Sequence, residues 1–160
     1  MSIKSIILTF LVLVSTACSR ESPVLTSALE VQVEGEVKQA FENLIAAAKT
    51  LEVAPYLSHF DEETFTAMLD GEVLLSFEEF EAMYTEQAPA LKAYLSLEFD
   101  KVEVTVLDLN AAILVNAFNE TIVLASGDTL SLSGAGSQVW RRKSTEWKLI
   151  HISGGIKSTS

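Results

Sequence analysis

The chain has 160 residues, 49% of them hydrophobic and 21% charged, and its 22 acidic residues against 11 basic give a formal charge of −11. That length and balance describe one globular domain with a real core, and so acidic a surface repels phosphate, which argues against a nucleic-acid partner. A single cysteine rules out an intrachain disulfide and a zinc site of the two-cysteine, two-histidine kind.

At the N-terminus Lys4 precedes an apolar run over residues 6–14, followed by Ser15-Thr16-Ala17-Cys18. A basic start, a short apolar stretch and small residues before a cut describe a secretory signal. The run falls short of the about 20 apolar residues that a spanning helix needs. The tetrapeptide resembles the lipobox of bacterial lipoproteins, with Ser15 where leucine is commonest. The alternatives are an ordinary secretory signal with an incidental cysteine, or an uncleaved anchor. The resemblance implies a signal peptide over residues 1–17, a lipid on Cys18 and a tether over residues 18–33 that holds the rest at a membrane. If the cell is Gram-negative, Ser19 after the cysteine, rather than aspartate, points to the outer membrane, facing the periplasm.

The domain is expected over residues 34–156, with a tail at 157–160. Val37, Phe41, Leu44, Ile45, Ala48 and Leu51 recur at helical spacing and predict an amphipathic helix over residues 36–51. Val53, Tyr56, Leu57 and Phe60 predict a second, short helix, with Pro55 in its first turn. Residues 65–69 and 73–75 flank Asp70-Gly71, a hairpin signal because glycine accepts positive φ. Ser76 with Glu79 forms a capping box for a third helix, whose apolar side is Phe80, Met83 and Tyr84.

From residue 94 the apolar period becomes two. Leu95, Leu97 and Phe99 alternate on one parity and Val102, Val104 and Val106 on the other, which predicts a bulge near Asp100-Lys101. Three further strands follow, over residues 111–124, 129–143 and 146–153. Helices gathered before an antiparallel sheet predict an α+β domain. Its curved sheet has four long strands plus a short hairpin, and three N-terminal helices close it into a cone with an apolar mouth.

The last hairpin carries the strongest resemblance. Val139-Trp140-Arg141-Arg142, a turn, then Trp147-Lys148-Leu149-Ile150-His151 is similar to the C-terminal pattern of the nuclear transport factor 2-like superfamily. SnoaL-like proteins and the association domain of calcium/calmodulin-dependent kinase are the nearest in pattern. Two departures stand out: Ser144-Thr145 replaces the common Asp-Gly turn, and Ser153 stands where many relatives have a second histidine. The resemblance implies a homodimer formed through the open face of the sheet.

Pairing Lys143 with Glu146 sets Arg142 opposite Trp147, Trp140 opposite Leu149 and Gln138 opposite His151, all on one face. His151 is then either a pocket donor or base, or a satisfied histidine at the core edge. His59 reads as a surface residue. Tyr56 and Tyr84 offer apolar walls with a hydroxyl, or plain core packing. Asn116 alternates with Leu114 and Phe118 and so puts an amide on an apolar face, where it needs a partner.

The expected function is therefore a lipid-anchored binding or interaction module for an apolar small molecule, without cofactor or metal. Its ligand residues would be Tyr56, Tyr84, Asn116, Trp140, Arg142 and His151. The alternative is a SnoaL-like or ketosteroid-isomerase-like enzyme using general acid–base catalysis. Against it stand the missing second histidine and the expectation that no Asp or Glu faces inward on a long strand.

Overall fold

A computed structural model describes residues 25–157; the signal segment, Cys18 and most of the predicted tail lie outside the described residues. Helix α1 spans Ser27–Thr50, and its N-cap Thr26 accepts the Leu29 N–H through its hydroxyl at 3.4 Å. Val33, Val37, Phe41 and Leu44 are its buried stripe, spaced at intervals of four, four and three. The helix starts nine residues earlier than the periodicity predicts, so residues 27–33, expected in the tether, are helical. The Thr26 cap and the burial of Val33 hold those extra turns. The helix stops at Leu51, which takes a left-handed conformation with φ 62°.

Helix α2 is the single turn Val53–Leu57. Strands β1 (Thr66–Leu69) and β2 (Glu72–Leu74) form the short hairpin, turning through Asp70 and Gly71 at φ 50° and 91°. Helix α3 (Phe77–Gln87) carries the predicted cap. Ser76 Oγ accepts the Glu79 N–H at 3.2 Å, and Glu79 reaches back to the Leu75 N–H at 2.7 Å. A 3₁₀ turn at Ala88–Ala90 leads into β3 (Leu91–Asp108), then β4 (Ala111–Leu124), β5 (Thr129–Lys143) and β6 (Glu146–Ile156).

The six strands form one sheet in the order β2-β1-β6-β5-β4-β3. It is curled but not closed, and the helices make the domain α+β. Every neighbouring pair is antiparallel except β1 with β6, so the short hairpin joins the long strands through a parallel seam. The predicted bulge falls in place: the β3–β4 register shifts between Asp100 and Glu103, with Lys101 at φ 53°. Trp140, Leu114, Leu149, Val37 and Phe65 are fully buried where helices and sheet meet.

The closing hairpin keeps the expected register only as far as Trp140 opposite Leu149. There β6 bulges, and Val139 rather than Gln138 faces His151. Ile150 is the extra residue. A side-chain period of two means that one inserted residue moves everything beyond it to the other face. Gln138 therefore faces Ile152, and His151 shares its row with Val139 and, across the parallel seam, Thr66. The bulge lies where β6 changes partner. Residues His59 and Asp61 hydrogen-bond both polar groups of Leu149, and from His151 onward the partner is β1.

Among the described residues no helix is long and apolar enough to cross a membrane.

Candidate functional site

The concave face of the sheet and the three helices enclose a cavity of about 330 Å³, within the range of small-molecule sites. Alternation along β4 supplies the first reason. Ala112, Leu114, Asn116, Phe118 and Glu120 share the inward face, and the first two are sealed beneath the helices while the last three reach the cavity. On β5 the matching inward positions are Gln138, Gly136 and Gly134. Gly136 pairs with both Asn116 and Gly154, so bare backbone floors the middle of the cavity. A Cβ at Gly136 would lie 2.8 Å from the Ser153 carbonyl oxygen, so only glycine fits that crossing.

Aromatic rings wall the space. Tyr56 and Tyr84 stack with centroids 4.5 Å apart, tilted by 21°, and Phe41 meets Phe99 edge-on at 4.9 Å. Burial above all raises the pKa of the Tyr56 hydroxyl, with the Tyr84 and Tyr94 phenols adding to it. Burial, with Glu120 and Tyr84 assisting, pushes the Tyr94 hydroxyl up to about 12, and burial raises Tyr84 as well. All three therefore stay protonated and present a hydroxyl able to donate.

In the inward rows of β4 and β5, three polar side chains interrupt the apolar lining. Asn116 is 8% exposed and Gln138 5% exposed. The Trp140 Nε1–H donates to Gln138 Oε1 at 3.0 Å. An indole nitrogen only donates, so this bond fixes which end of the amide is oxygen and leaves the Gln138 amide nitrogen as a free donor. No buried side-chain polar atom lacks a partner among the described residues, so the unbonded amide groups of Asn116 and Gln138 reach the open cavity. The third is Glu120, in the inward row between Leu97 and Leu132, whose pKa burial raises. A second hollow of about 410 Å³ shares Tyr84, Gln87, Tyr94 and Glu120 with the first, which puts Glu120 at their junction.

Of the six side chains expected to meet a ligand, Tyr56, Tyr84 and Asn116 line this cavity and three do not. Trp140 is fully buried beneath it and acts only by holding Gln138. Arg142 pairs with Glu36 of α1, donates to the Leu109 carbonyl at 3.3 Å and lies 4.6 Å above the Trp147 ring. Trp147 Nε1 also donates to Glu36, at 3.0 Å. Arg142 is thus a bolt between α1 and the closing hairpin. His151 is on the helix-free face because of the bulge, its Nδ1 2.8 Å from Thr66 Oγ1. The expectation that no carboxylate faces inward on a long strand is overturned by Glu120. Its signal was the alternation 116–118–120, which carries Asn116 and Glu120 to the same face. Tyr94 carried no comparable signal, because the start of β3 is irregular in register.

Among the described residues no group of three or more His, Cys, Asp and Glu side chains is placed to hold a metal ion.

The sequence profile of the SnoaL-like domain matches residues 37–156. No curated protein sequence matches the chain. Solved structures with the same fold include a nuclear transport factor 2-like superfamily protein from Salmonella enterica serovar Typhimurium. It has a TM-score of 0.71 at 17% identity, covering 81% of this chain and 94% of that one. A ketosteroid isomerase-like protein from Erwinia carotovora atroseptica gives 0.67 at 14% identity, covering 78% and 96%. A hexachlorocyclohexane dehydrochlorinase gives 0.67 at 7% identity, covering 84% and 92%. At such identities the likeness is one of fold.

Proposed function

The chain belongs to the SnoaL-like domain family, of the nuclear transport factor 2-like superfamily, and from that membership and its cavity we propose that it binds an apolar small molecule in the cone. The observation that carries this reading is the pair of buried amides, Asn116 and Gln138, opening onto an aromatic-walled space. Among the described residues the Asn116 amide and the Gln138 amide nitrogen have no protein partner and face open space, so they are available to a ligand. Purification under mild conditions followed by mass spectrometry of the extract tests it. A molecule recovered from the natural chain and lost from Asn116→Leu supports the reading; binding equally strong in both sinks it.

Glu120 favours a second reading, acid–base catalysis on the bound molecule. A carboxylate with a raised pKa beside tyrosine hydroxyls is equipped to take a proton and return it. Relatives named for isomerase and dehydrochlorinase activities keep this reading open. The test is to incubate small-molecule extracts with the natural chain and with Glu120→Gln. A compound consumed by the first and not by the second supports catalysis.

On the same proposal the chain is cut before Cys18, lipidated there and held at the bacterial cell envelope. Cys18→Ser should then abolish lipid labelling and release the protein from membranes. Two copies would meet through the helix-free sheet face, where Met68 and Val115 are 48% and 44% exposed in one cross-strand row with Ser153 and Ser137. Sedimentation of Val115→Glu should report a monomer if that face holds the dimer.

A further inference from the structure

We infer that the molecule held in the cone is a hydrophobic cation, an apolar body carrying a protonated amine, with the amine seated against the Glu120 carboxylate at the junction of the two hollows. The inference rests on the binding reading above and adds the sign of the ligand's charge.

The lining decides that sign. Among the described residues the charged side chains on the two hollows are Asp70 and Glu120, and no lysine or arginine lines either. Asp70 is engaged, its Oδ1 accepting the Ile156 N–H at 3.0 Å. Glu120 forms no salt bridge or side-chain hydrogen bond among the described residues; Lys157, which borders a third, outer hollow with it, makes no ion pair with it and does not offset its burial. Its raised pKa is the behaviour of a carboxylate drawn out of water without a counter-charge. A cation placed there supplies one. An anionic ligand would meet this carboxylate and a chain of formal charge −11.

The surroundings suit an amine in particular. Tyr84 and Tyr94 share the junction with Glu120, and aromatic faces attract a cation beside them. Asn116 sits four residues back along the same face of β4, about 13 Å away at roughly 3.3 Å per residue. The site therefore has a carboxylate at one end, neutral amides at the other and aromatic walls between. That is the complement of an elongated apolar amine with a hydroxyl or carbonyl at its far end.

Three compounds of one size separate the possibilities: 4-phenylbutylamine, 4-phenylbutanol and 4-phenylbutyrate, each titrated calorimetrically into the purified full-length chain. The amine should bind about ten-fold more tightly than the alcohol, and the carboxylate more weakly than both. Glu120→Gln should bring the ratio of amine to alcohol affinity down to about one, and Glu120→Asp, which keeps the charge, should preserve the preference. If amine and alcohol bind alike, or the preference survives Glu120→Gln, the inference falls while the binding reading stands. If none of the three binds, both fall.

Discussion

The indole N–H of Trp140 donates to Oε1 of Gln138, two residues back on the same strand, at 3.0 Å. A fully buried ring thereby orients an amide at the cavity wall, and the tryptophan contributes to the site without touching it. Trp140→Phe removes the donor and strands the amide oxygen. An unsatisfied buried acceptor costs about 1–3 kcal/mol, and the smaller ring leaves a void that adds to it. Urea unfolding should show a loss of about 2–4 kcal/mol. Ligand affinity should fall as well, because the freed amide can turn.

A second buried polar group should make the stability of the fold depend on acid pH. The Asp61 side chain is wholly buried and accepts from Arg141 at 2.9 Å, Lys143 at 3.1 Å and the Glu63 N–H at 3.1 Å. Burial alone would raise its pKa, but those hydrogen bonds outweigh it and the carboxyl falls to about 2. The folded pKa lies below the unfolded one, so its stabilisation is fully present above about pH 4 and is lost as pH falls through 2. The contribution is about 2 kcal/mol. Asp61→Asn should lower the urea midpoint at pH 7 and flatten its decline between pH 4 and pH 2, relative to the natural chain. An unchanged pH profile would remove Asp61 as the source.

These two residues mark where the sequence was legible and where it was not. Local signals were readable: the Ser76–Glu79 box, the Asp70-Gly71 turn and the bulge at Lys101 each follow from chemistry within a few residues. Asn116 was readable too, since its parity with Leu114 and Phe118 is a local fact, and the same parity extends to Glu120. The bulge at Ile150 was not. Its cause is the change of partner along β6, from residues 59–61 to β1, which lie about ninety positions away in the chain. That one residue moved His151 to the opposite face and replaced it in the cavity row with Ile152. Asp61 was unreadable for the same reason, because a carboxylate in an acidic run looks solvated until β5 brings two cations to it.

Arg142 tests the distinction between binding and bracing. Its guanidinium donates to Glu36 and to the Leu109 carbonyl while lying over Trp147, a set of contacts that a lysine cannot reproduce. The side chain does not line the cavity. Arg142→Lys should therefore cost about 1–2 kcal/mol in unfolding free energy and leave ligand affinity within about two-fold. A large loss of affinity in a folded variant would restore Arg142 to the site.

Two glycines should respond to the same substitution with opposite signs. In the middle of α1, a Cβ on Gly35 would meet nothing within 4 Å, so alanine there gains helix propensity without a clash. Gly35→Ala should stabilise by about 0.5–1 kcal/mol. At Gly136 the added carbon would stand 2.8 Å from the Ser153 carbonyl oxygen, a backbone atom that cannot turn aside. Prying the β5–β6 crossing apart should cost about 1–3 kcal/mol. It should also weaken binding, because Gly136 floors the cavity between Asn116 and Gly154. Paired thermal melts and titrations separate the effects: a Gly136→Ala protein as stable as the natural chain would show that β5 and β6 can yield there, and that the bare floor is not imposed by packing.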